Sequence, residues 1–207
     1  MADTRQIILV LLLGSYDLQT RKYLDDIKEV IAMNFSGENI YSFMLENVEL
    51  YFSETLQVLV ESTNDHKATL FIFKEHQTLE DVFDVNVKGD LNDTIYDFLK
   101  QKYEVAQMKR QPMFEKFGHM MNLAKILFII RDKEETRGGE YVELMHALFE
   151  GHSDKIRFLR RDGVRLSSML MEYLDKFEIN IRPYSDYSEL KEEIIRLLRH
   201  SLSSGRS

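Results

Sequence analysis

One segment of the sequence carries residue types that could act on a sugar. The aliphatic run Ala124 to Asp132 ends in an acid, and the segment Thr136 to Ala147 follows with a pair of glycines. This order predicts a buried strand, a glycine turn and a helix, with Glu143 about one turn into that helix. A carboxylate placed there can stabilise or attack a sugar carbon with oxocarbenium character, as carboxylates do in glycosyl transfer. The pattern therefore makes Glu143 a candidate catalytic residue.

The turn before this helix suits the binding of a ligand. Gly138 and Gly139 allow the backbone to approach a bound molecule closely. The free amide groups at the helix start, next to Glu140, favour an anion or a ring hydroxyl. We therefore expect these three residues to contact the substrate.

The same helix also has a purely structural interpretation. Acidic residues and a histidine step by three, three and four, which places them on one solvated face: Glu140, Glu143, His146 and Glu150. The opposite residues are apolar, as in a surface helix packed on a sheet: Val142, Leu144, Leu148 and Phe149. Spacing alone leaves both interpretations open.

A second segment is basic in an otherwise acidic protein. Its cationic residues are Lys155, Arg157, Arg160, Arg161 and Arg165. Arginines can hold a phosphate through paired donors, whereas a solvated loop explains the run as well. Aromatic residues that would stack on nucleic-acid bases are limited to Phe158.

A predicted parallel sheet brings these segments to one edge. The aliphatic run Gln6 to Leu13 ends at Gly14 and is typical of a strand buried on both faces, and a helix from Leu18 to Phe35 follows it. The later chain alternates strands and helices: Lys125 to Ile130, Gly139 to Glu150, Lys155 to Leu159, Leu166 to Phe177, Asn180 to Arg182 and Tyr187 to Leu202. Right-handed crossovers put the loops after these strands along one edge, where ligands usually bind.

The middle of the chain is harder to interpret. Four short β-like runs occur between Asn39 and Val87: Ile40 to Leu45, Thr55 to Glu61, Ala68 to Lys74 and Val82 to Val87. Hairpin-like spacing around Asn64 and Asp65 predicts antiparallel strands added to the main sheet. Two helices are expected from Leu91 to Leu123, with Pro112 ending the first and able to start the second.

The whole pattern predicts an α/β fold, flavodoxin-like and doubly wound, with a mostly parallel sheet and some antiparallel additions. The 207 residues, 44% of them hydrophobic, suit one domain with a frayed tail from Ser203 to Ser207. A net charge of −8 disfavours nucleic acid and anionic membranes as partners. The chain contains no cysteine, which excludes disulfides and thiolate chemistry and points to the cytoplasm.

The sequence lacks the motifs of several well-known classes of binding and catalytic site. The chain has no GxxxxGK[ST] loop, no GxGxxG fingerprint after its first strand, no GxSxG elbow and no HExxH spacing. We therefore expect no bound cofactor and no structural metal.

The stretch from Asn122 to Arg161 resembles the second half of the nucleoside 2-deoxyribosyltransferase-like family, which overlaps in fold with TIR domains. That family has a strand ending in an acid, a glycine-containing turn and a helix in which Glu and Ala have the spacing of Glu143 and Ala147. The resemblance implies that Glu143 is the nucleophile and that Asp132 contacts the base.

The resemblance extends to the first strand and has two departures. Gly14, Ser15 and Tyr16 resemble the loop that lines the nucleoside pocket, and the last two also resemble the start of a TIR domain. Arg137 stands where the transferases have an Asp that holds the sugar, and Met145 replaces a helix glycine. An arginine there suggests a phosphorylated substrate, because it can pair with a phosphate near the helix start.

Two functions follow as hypotheses. The first is a nucleoside- or nucleotide-binding N-glycosidase or glycosyltransferase-like protein. The alternative is a non-catalytic TIR-like interaction module, in which the helix face binds a protein partner or a homo-oligomer covers Met- and Phe-rich surface. An enclosed Glu143 near Asp132, Tyr16 and Arg137 favours the enzyme, whereas a flat exposed helix favours the module.

Overall fold

The computed structural model describes residues 8–14, 18–63, 66–74, 78–134 and 139–204. The chain divides into two compact units, which we call the parallel unit (Met1–Met44 with Ala124–Ser207) and the antiparallel unit (Leu45–Leu123). That they form one domain stays a prediction. The elements in chain order are β1 (Ile8–Gly14), α1 (Leu18–Asn34), β2 (Ile40–Met44), β3 (Val48–Phe52), β4 (Leu56–Thr63), β5 (Lys67–Lys74), β6 (Thr78–Asn86), α2 (Leu91–Tyr103), β7 (Lys109–Arg110), α3 (Met113–Leu123), β8 (Ile126–Arg131), α4 (Gly139–Phe149), β9 (Ile156–Arg161), α5 (Ser168–Lys176), β10 (Ile181–Tyr184) and α6 (Tyr187–Ser204).

The parallel unit contains a five-stranded sheet in the order β2-β1-β8-β9-β10, and every pairing in it is parallel. The inner strands β1 and β8 are almost entirely buried, as their continuous aliphatic sequences predict for strands covered on both faces. The predicted parallel α/β architecture is confirmed at this level.

Helices cover both faces of this sheet. Alternate strand residues such as Val10 and Phe128 share a core with Leu24 of α1 and Leu190 of α6. Helix α4 contacts β1, but its buried residues do not belong to that core, so α4 lies on the other face. The strand order reverses at β1, between β2 and β8, and such switch points leave a crevice at the carboxyl ends of the strands.

The antiparallel strands form a sheet of their own, in the order β6-β5-β4-β3-β7. The prediction that they add to the main sheet is therefore wrong, although the predicted antiparallel pairing of the second and third runs is confirmed as β4 with β5. The physical reason is a separate core. One face of β4 and β5 packs with Ile95 and Leu99 of α2, so the apolar residues of that face are buried within the antiparallel unit itself.

Pro112 starts the second of the two predicted helices, as expected, but it does not end the first. Helix α2 ends at Tyr103, where Glu104 adopts a left-handed conformation and its amide donates to the Lys100 carbonyl. Helix α3 starts directly after Pro112, a position that needs no amide donor. In the predicted tail, α6 continues to Ser204, and residues 205–207 lie outside the described part. None of the helices in the described ranges is long and apolar enough to cross a membrane.

Candidate functional site

Asp132 is a buried carboxylate at the carboxyl end of β8. It is 7% exposed. Its Oδ2 accepts hydrogen bonds from the Thr20 hydroxyl in the first turn of α1, at 2.8 Å, and from the Tyr187 hydroxyl at the start of α6, at 3.2 Å. Its Oδ1 is also buried and accepts no hydrogen bond from any residue that the structure describes. One oxygen is thus held by two helices, and the other retains its capacity to accept a hydrogen bond.

Tyrosines surround Asp132 on the α1 and α6 face of the sheet. The Tyr187 ring stacks on Tyr23, with centroids 3.4 Å apart, and the Arg161 guanidinium lies 5.6 Å from the Tyr187 ring centroid. Burial, reinforced by the negative charge of Asp132, raises the pKa of Tyr184 and of Tyr187 above their usual value. The hydroxyl of Tyr187 therefore stays protonated at neutral pH and remains a donor to Asp132.

Gly14 stands beside Asp132 because its strand pairs with β8. Gly14 is the register partner of Ile130, two residues before Asp132. A Cβ at Gly14 would lie 3.3 Å from the Ile130 carbonyl oxygen, closer than an ordinary contact, so the absence of a side chain allows the two strands to approach. The predicted substrate residues Ser15 and Tyr16 lie outside the described residues.

Glu143 lies on the buried face of α4. It is 8% exposed, and its neighbours Leu144, Ala147 and Leu148 are buried as well. Val142 and Phe149, which the amphipathic interpretation assigned to the packed face, are each 64% exposed. The solvated-face interpretation is therefore wrong for Glu143. The spacing is misleading because apolar residues occur on both sides of this helix, so spacing alone does not define the packed face.

The remaining predicted residues surround the start of α4. Gly139 is the first residue of the helix and Glu140 the second, whereas the Glu140 side chain is outside what the structure describes. Arg137 and Gly138 also lie outside the described residues. The predicted enclosure of Glu143 by Tyr16 and Arg137 thus stays a prediction.

Arg131 is a buried cation next to Asp132 that the sequence reasoning did not select. It is 4% exposed, its Nη2 donates to the Glu134 carbonyl at 2.7 Å, and its guanidinium lies 4.7 Å from the Tyr141 ring centroid on α4. Arg131 and Asp132 are consecutive at the strand end, so they serve opposite faces of the sheet. The available signal was a charged residue closing an otherwise aliphatic strand.

The basic segment forms a strand and not a solvated loop. Lys155 directly precedes β9, and Arg157, Arg160 and Arg161 lie within it. Arg157 is near the amino end of the strand, where its Nη1 donates to the Asp154 and Ile156 carbonyls at 2.7 and 2.9 Å. Arg160 lies at the carboxyl end, where it is the register partner of Arg131. The strand therefore separates these charges between two edges of the sheet.

The described residues contain no group of three or more histidine, aspartate or glutamate side chains placed to hold a metal ion. Two buried carboxylates serve opposite faces of the sheet: Asp132 contacts α1 and α6, and Glu143 lies on the packed face of α4. Buried ionisable groups at the carboxyl edge of a parallel sheet are typical of binding and catalytic sites.

The sequence matches no protein-family model and no curated protein.

Proposed function

We propose that the parallel unit binds a nucleoside or nucleotide at the carboxyl edge of its sheet and cleaves or transfers its N-glycosidic bond, with Glu143 as the reacting carboxylate. The observation that carries the proposal is the burial of Glu143. A glutamate on the packed face of a surface helix loses its hydration, which costs free energy. Its burial therefore supports a functional role and not merely a contribution to solubility.

The position of Asp132 supports the same proposal. The parallel strands, numbered within their own sheet, follow the order 2-1-3-4-5 of flavodoxin-like folds, in which ligands bind beside the first strand at the switch point. Gly14 ends one of the two strands that meet there, and Asp132 directly follows the other. With Oδ2 held by Thr20 and Tyr187, Oδ1 of Asp132 would accept a hydrogen bond from the base or from a ribose hydroxyl.

The reaction would follow the course of a retaining glycosyl transfer. As the bond from the anomeric carbon to the base nitrogen breaks, its electron pair leaves with the base, which takes up a proton from water. The Glu143 carboxylate forms an ester bond to the anomeric carbon, or stabilises its positive charge. Water or an acceptor base then attacks that carbon and gives up a proton to solvent, and Glu143 is released as a carboxylate.

The test is base release from a panel of nucleosides, nucleoside monophosphates and NAD by the wild type and by Glu143→Gln. Glu143→Gln keeps the size of the side chain and removes its charge, so we expect turnover to fall roughly 10²- to 10⁴-fold. The matched control is Glu150→Gln, an exposed glutamate just after the same helix, which should leave turnover unchanged. Thermal shift on the same panel measures binding separately. Absence of both turnover and ligand stabilisation would reject the proposal.

One observation favours the second candidate, a protein-interaction module. Large apolar side chains on α4 and α5 are exposed, namely Val142, Phe149 and Met169. Phe149 makes edge contacts with Tyr173 and Phe177, which creates a continuous aromatic surface. A second copy of the chain is the occupant that the homo-oligomer hypothesis names. Light scattering of the wild type and of Phe149→Ser tests this homo-oligomer hypothesis. We expect the wild type to be a dimer and the variant to be a monomer. A monomeric wild type would contradict the hypothesis.

A further inference from the structure

Two arginines lie side by side at the carboxyl edge of the parallel sheet. Arg131 closes β8, and Arg160 is its register partner on β9. Register partners on parallel strands direct their side chains to the same face, with backbones about 4.8 Å apart. That face is the one covered by α4, because the Arg131 guanidinium packs on the Tyr141 ring.

This pair places two like charges in a poorly hydrated position. Arg131 is buried, and the Nε of Arg160 is buried too. Within the described ranges, the Nε–H group of Arg160 has no hydrogen-bond acceptor. A buried donor without an acceptor is destabilising. An oxyanion bound between the two guanidinium groups would supply an acceptor to Arg160.

The chemistry of the pair selects a phosphate among oxyanions. Guanidinium groups are planar forks that bind phosphate or carboxylate oxygens with two parallel hydrogen bonds each, and two forks together match a dianion. Helix α4 begins near this edge, on the same face as Arg131, and the free amides of its first turn add a favourable potential for a negative group.

We infer that Arg131 and Arg160 bind the phosphate of a nucleoside monophosphate, so that the substrate of the parallel unit is a phosphorylated nucleoside and not a free one. This inference rests on the proposed function, since it names the substrate of the same site. It also assigns specificity to Arg160, a residue that the glycosidic chemistry itself does not require.

The opposite edge of the sheet provides a comparison within the same strand. A cavity of about 430 Å³ there is lined by residues that include Arg157 and Arg182. Each of these arginines already has acceptors, the Asp154 and Ile156 carbonyls for Arg157 and the Glu193 carboxylate for Arg182. Arg157 is therefore a suitable control, because it is a β9 arginine at the edge away from Asp132.

The experiment compares the affinity of adenosine, guanosine, cytidine and uridine with that of their 5′-monophosphates by calorimetry. Binding is measured in the Glu143→Gln background, so that the ligand is not consumed. We expect monophosphates to bind roughly 10- to 100-fold more tightly than nucleosides, as for a pair of charge-assisted contacts. Arg160→Gln should remove this preference, Arg160→Lys should restore part of it, and Arg157→Gln should keep it.

The outcomes separate this inference from the proposed function. Retention of the phosphate preference in a folded Arg160→Gln protein, or equal affinity of nucleosides and monophosphates for the parent protein, would overturn the assignment of the arginines. Loss of the preference in Arg160→Gln supports it, even if the wild type releases no base. In that case the phosphate site stands and the glycosidic reaction fails.

Inorganic phosphate distinguishes the source of the anion. Competition by millimolar phosphate against every monophosphate, without any dependence on the base, would indicate a general anion site and overturn the nucleotide assignment. Dependence of affinity on the base in the same titrations supports it.

Discussion

The two units bury charged side chains in different ways. In the antiparallel unit, the Lys116 ammonium donates to the Leu45 and Val48 carbonyls at 2.6 and 2.8 Å. These bonds hold the short turn that leads into β3, and burial lowers the pKa of Lys116. In the parallel unit, Asp132 is held through one oxygen only, while its other oxygen accepts nothing from the described residues.

This difference separates a structural charge from a candidate functional one. A buried polar group that is hydrogen-bonded to backbone atoms stabilises the fold and has little remaining hydrogen-bonding capacity for a ligand. A buried group with remaining capacity, at the edge where parallel strands end, is placed to bind one. We therefore expect ligand binding in the parallel unit and a supporting role for Lys116.

Lys116→Met should produce the largest loss of stability among the changes considered below. Methionine retains the length and helix preference of lysine, but it leaves two carbonyl groups without the ammonium donor. We expect the free energy of unfolding to fall by about 2 kcal/mol, which urea denaturation measures. Lys88→Ala, an exposed lysine in the same unit, should change it by less than about 0.5 kcal/mol. A neutral Lys116→Met would show that this charge is not structural.

Gly14→Ala should give a smaller loss, this time in the parallel unit. The added methyl group would press on the Ile130 carbonyl oxygen, a backbone atom that cannot rotate away. We expect a loss of about 1 kcal/mol in thermal or urea unfolding, together with weaker ligand binding because β1 and β8 separate at the site. Gly37→Ala is the matched control, since no atom lies within 4 Å of its added Cβ. Equal effects of both substitutions would remove the packing argument for Gly14.

Alkaline pH should destabilise both units through tyrosine ionisation. Burial is the main cause that raises the pKa of four tyrosines above the usual 10.0, two in each unit: Tyr51, Tyr103, Tyr184 and Tyr187. Above about pH 10 the unfolded chain loses these protons first, so the folded state binds more protons and stability falls as pH rises. Urea midpoints measured between about pH 8 and about pH 11 test this, and Tyr187→Phe should reduce the decline.

Lys116 should change the pH dependence of stability in the opposite direction, at lower pH than the tyrosines. This is the smallest effect that we expect. Because its folded pKa lies below the usual 10.5, the unfolded chain binds more protons between the two values, and stability rises with pH there. The wild type should therefore show a slight rise before the alkaline decline. Lys116→Met should lack that rise, and its persistence in the variant would assign it to another group.

The sequence predicted the parallel unit better than the antiparallel one, for a physical reason. A strand covered on both faces requires a continuous aliphatic run, and the runs of β1 and β8 each end at a residue of the site, Gly14 and Asp132. In the antiparallel unit, strand β3 (Val48–Phe52) has only five residues, of which Val48, Glu49 and Leu50 alternate in polarity, and this strand was not predicted. Alternation shows that a strand exists but does not show which sheet it joins.

The candidate site was predicted in part. Asp132 and Gly14 follow from strand ends, which position them at the same edge without further information. The sequence left the rotation of α4 open between two interpretations, because spacing does not separate its faces: Val142 and Phe149 are apolar yet exposed, while Glu143 is polar yet buried. Pro112 shows the same limit on a local scale, since it is compatible with either end of a helix and only the conformation of Glu104 decides where α2 ends.

What the sequence determined by itself is therefore the order of strands and helices in the parallel unit and the residues that close its strands. These properties depend on local composition, on continuous apolar runs and on helical spacing. The tertiary structure decided the separate antiparallel sheet, the burial of Glu143 and the pairing of Arg131 with Arg160. Each of these depends on contacts between segments distant in the chain, because burial and strand register are set by which surfaces meet and not by the residues of one segment.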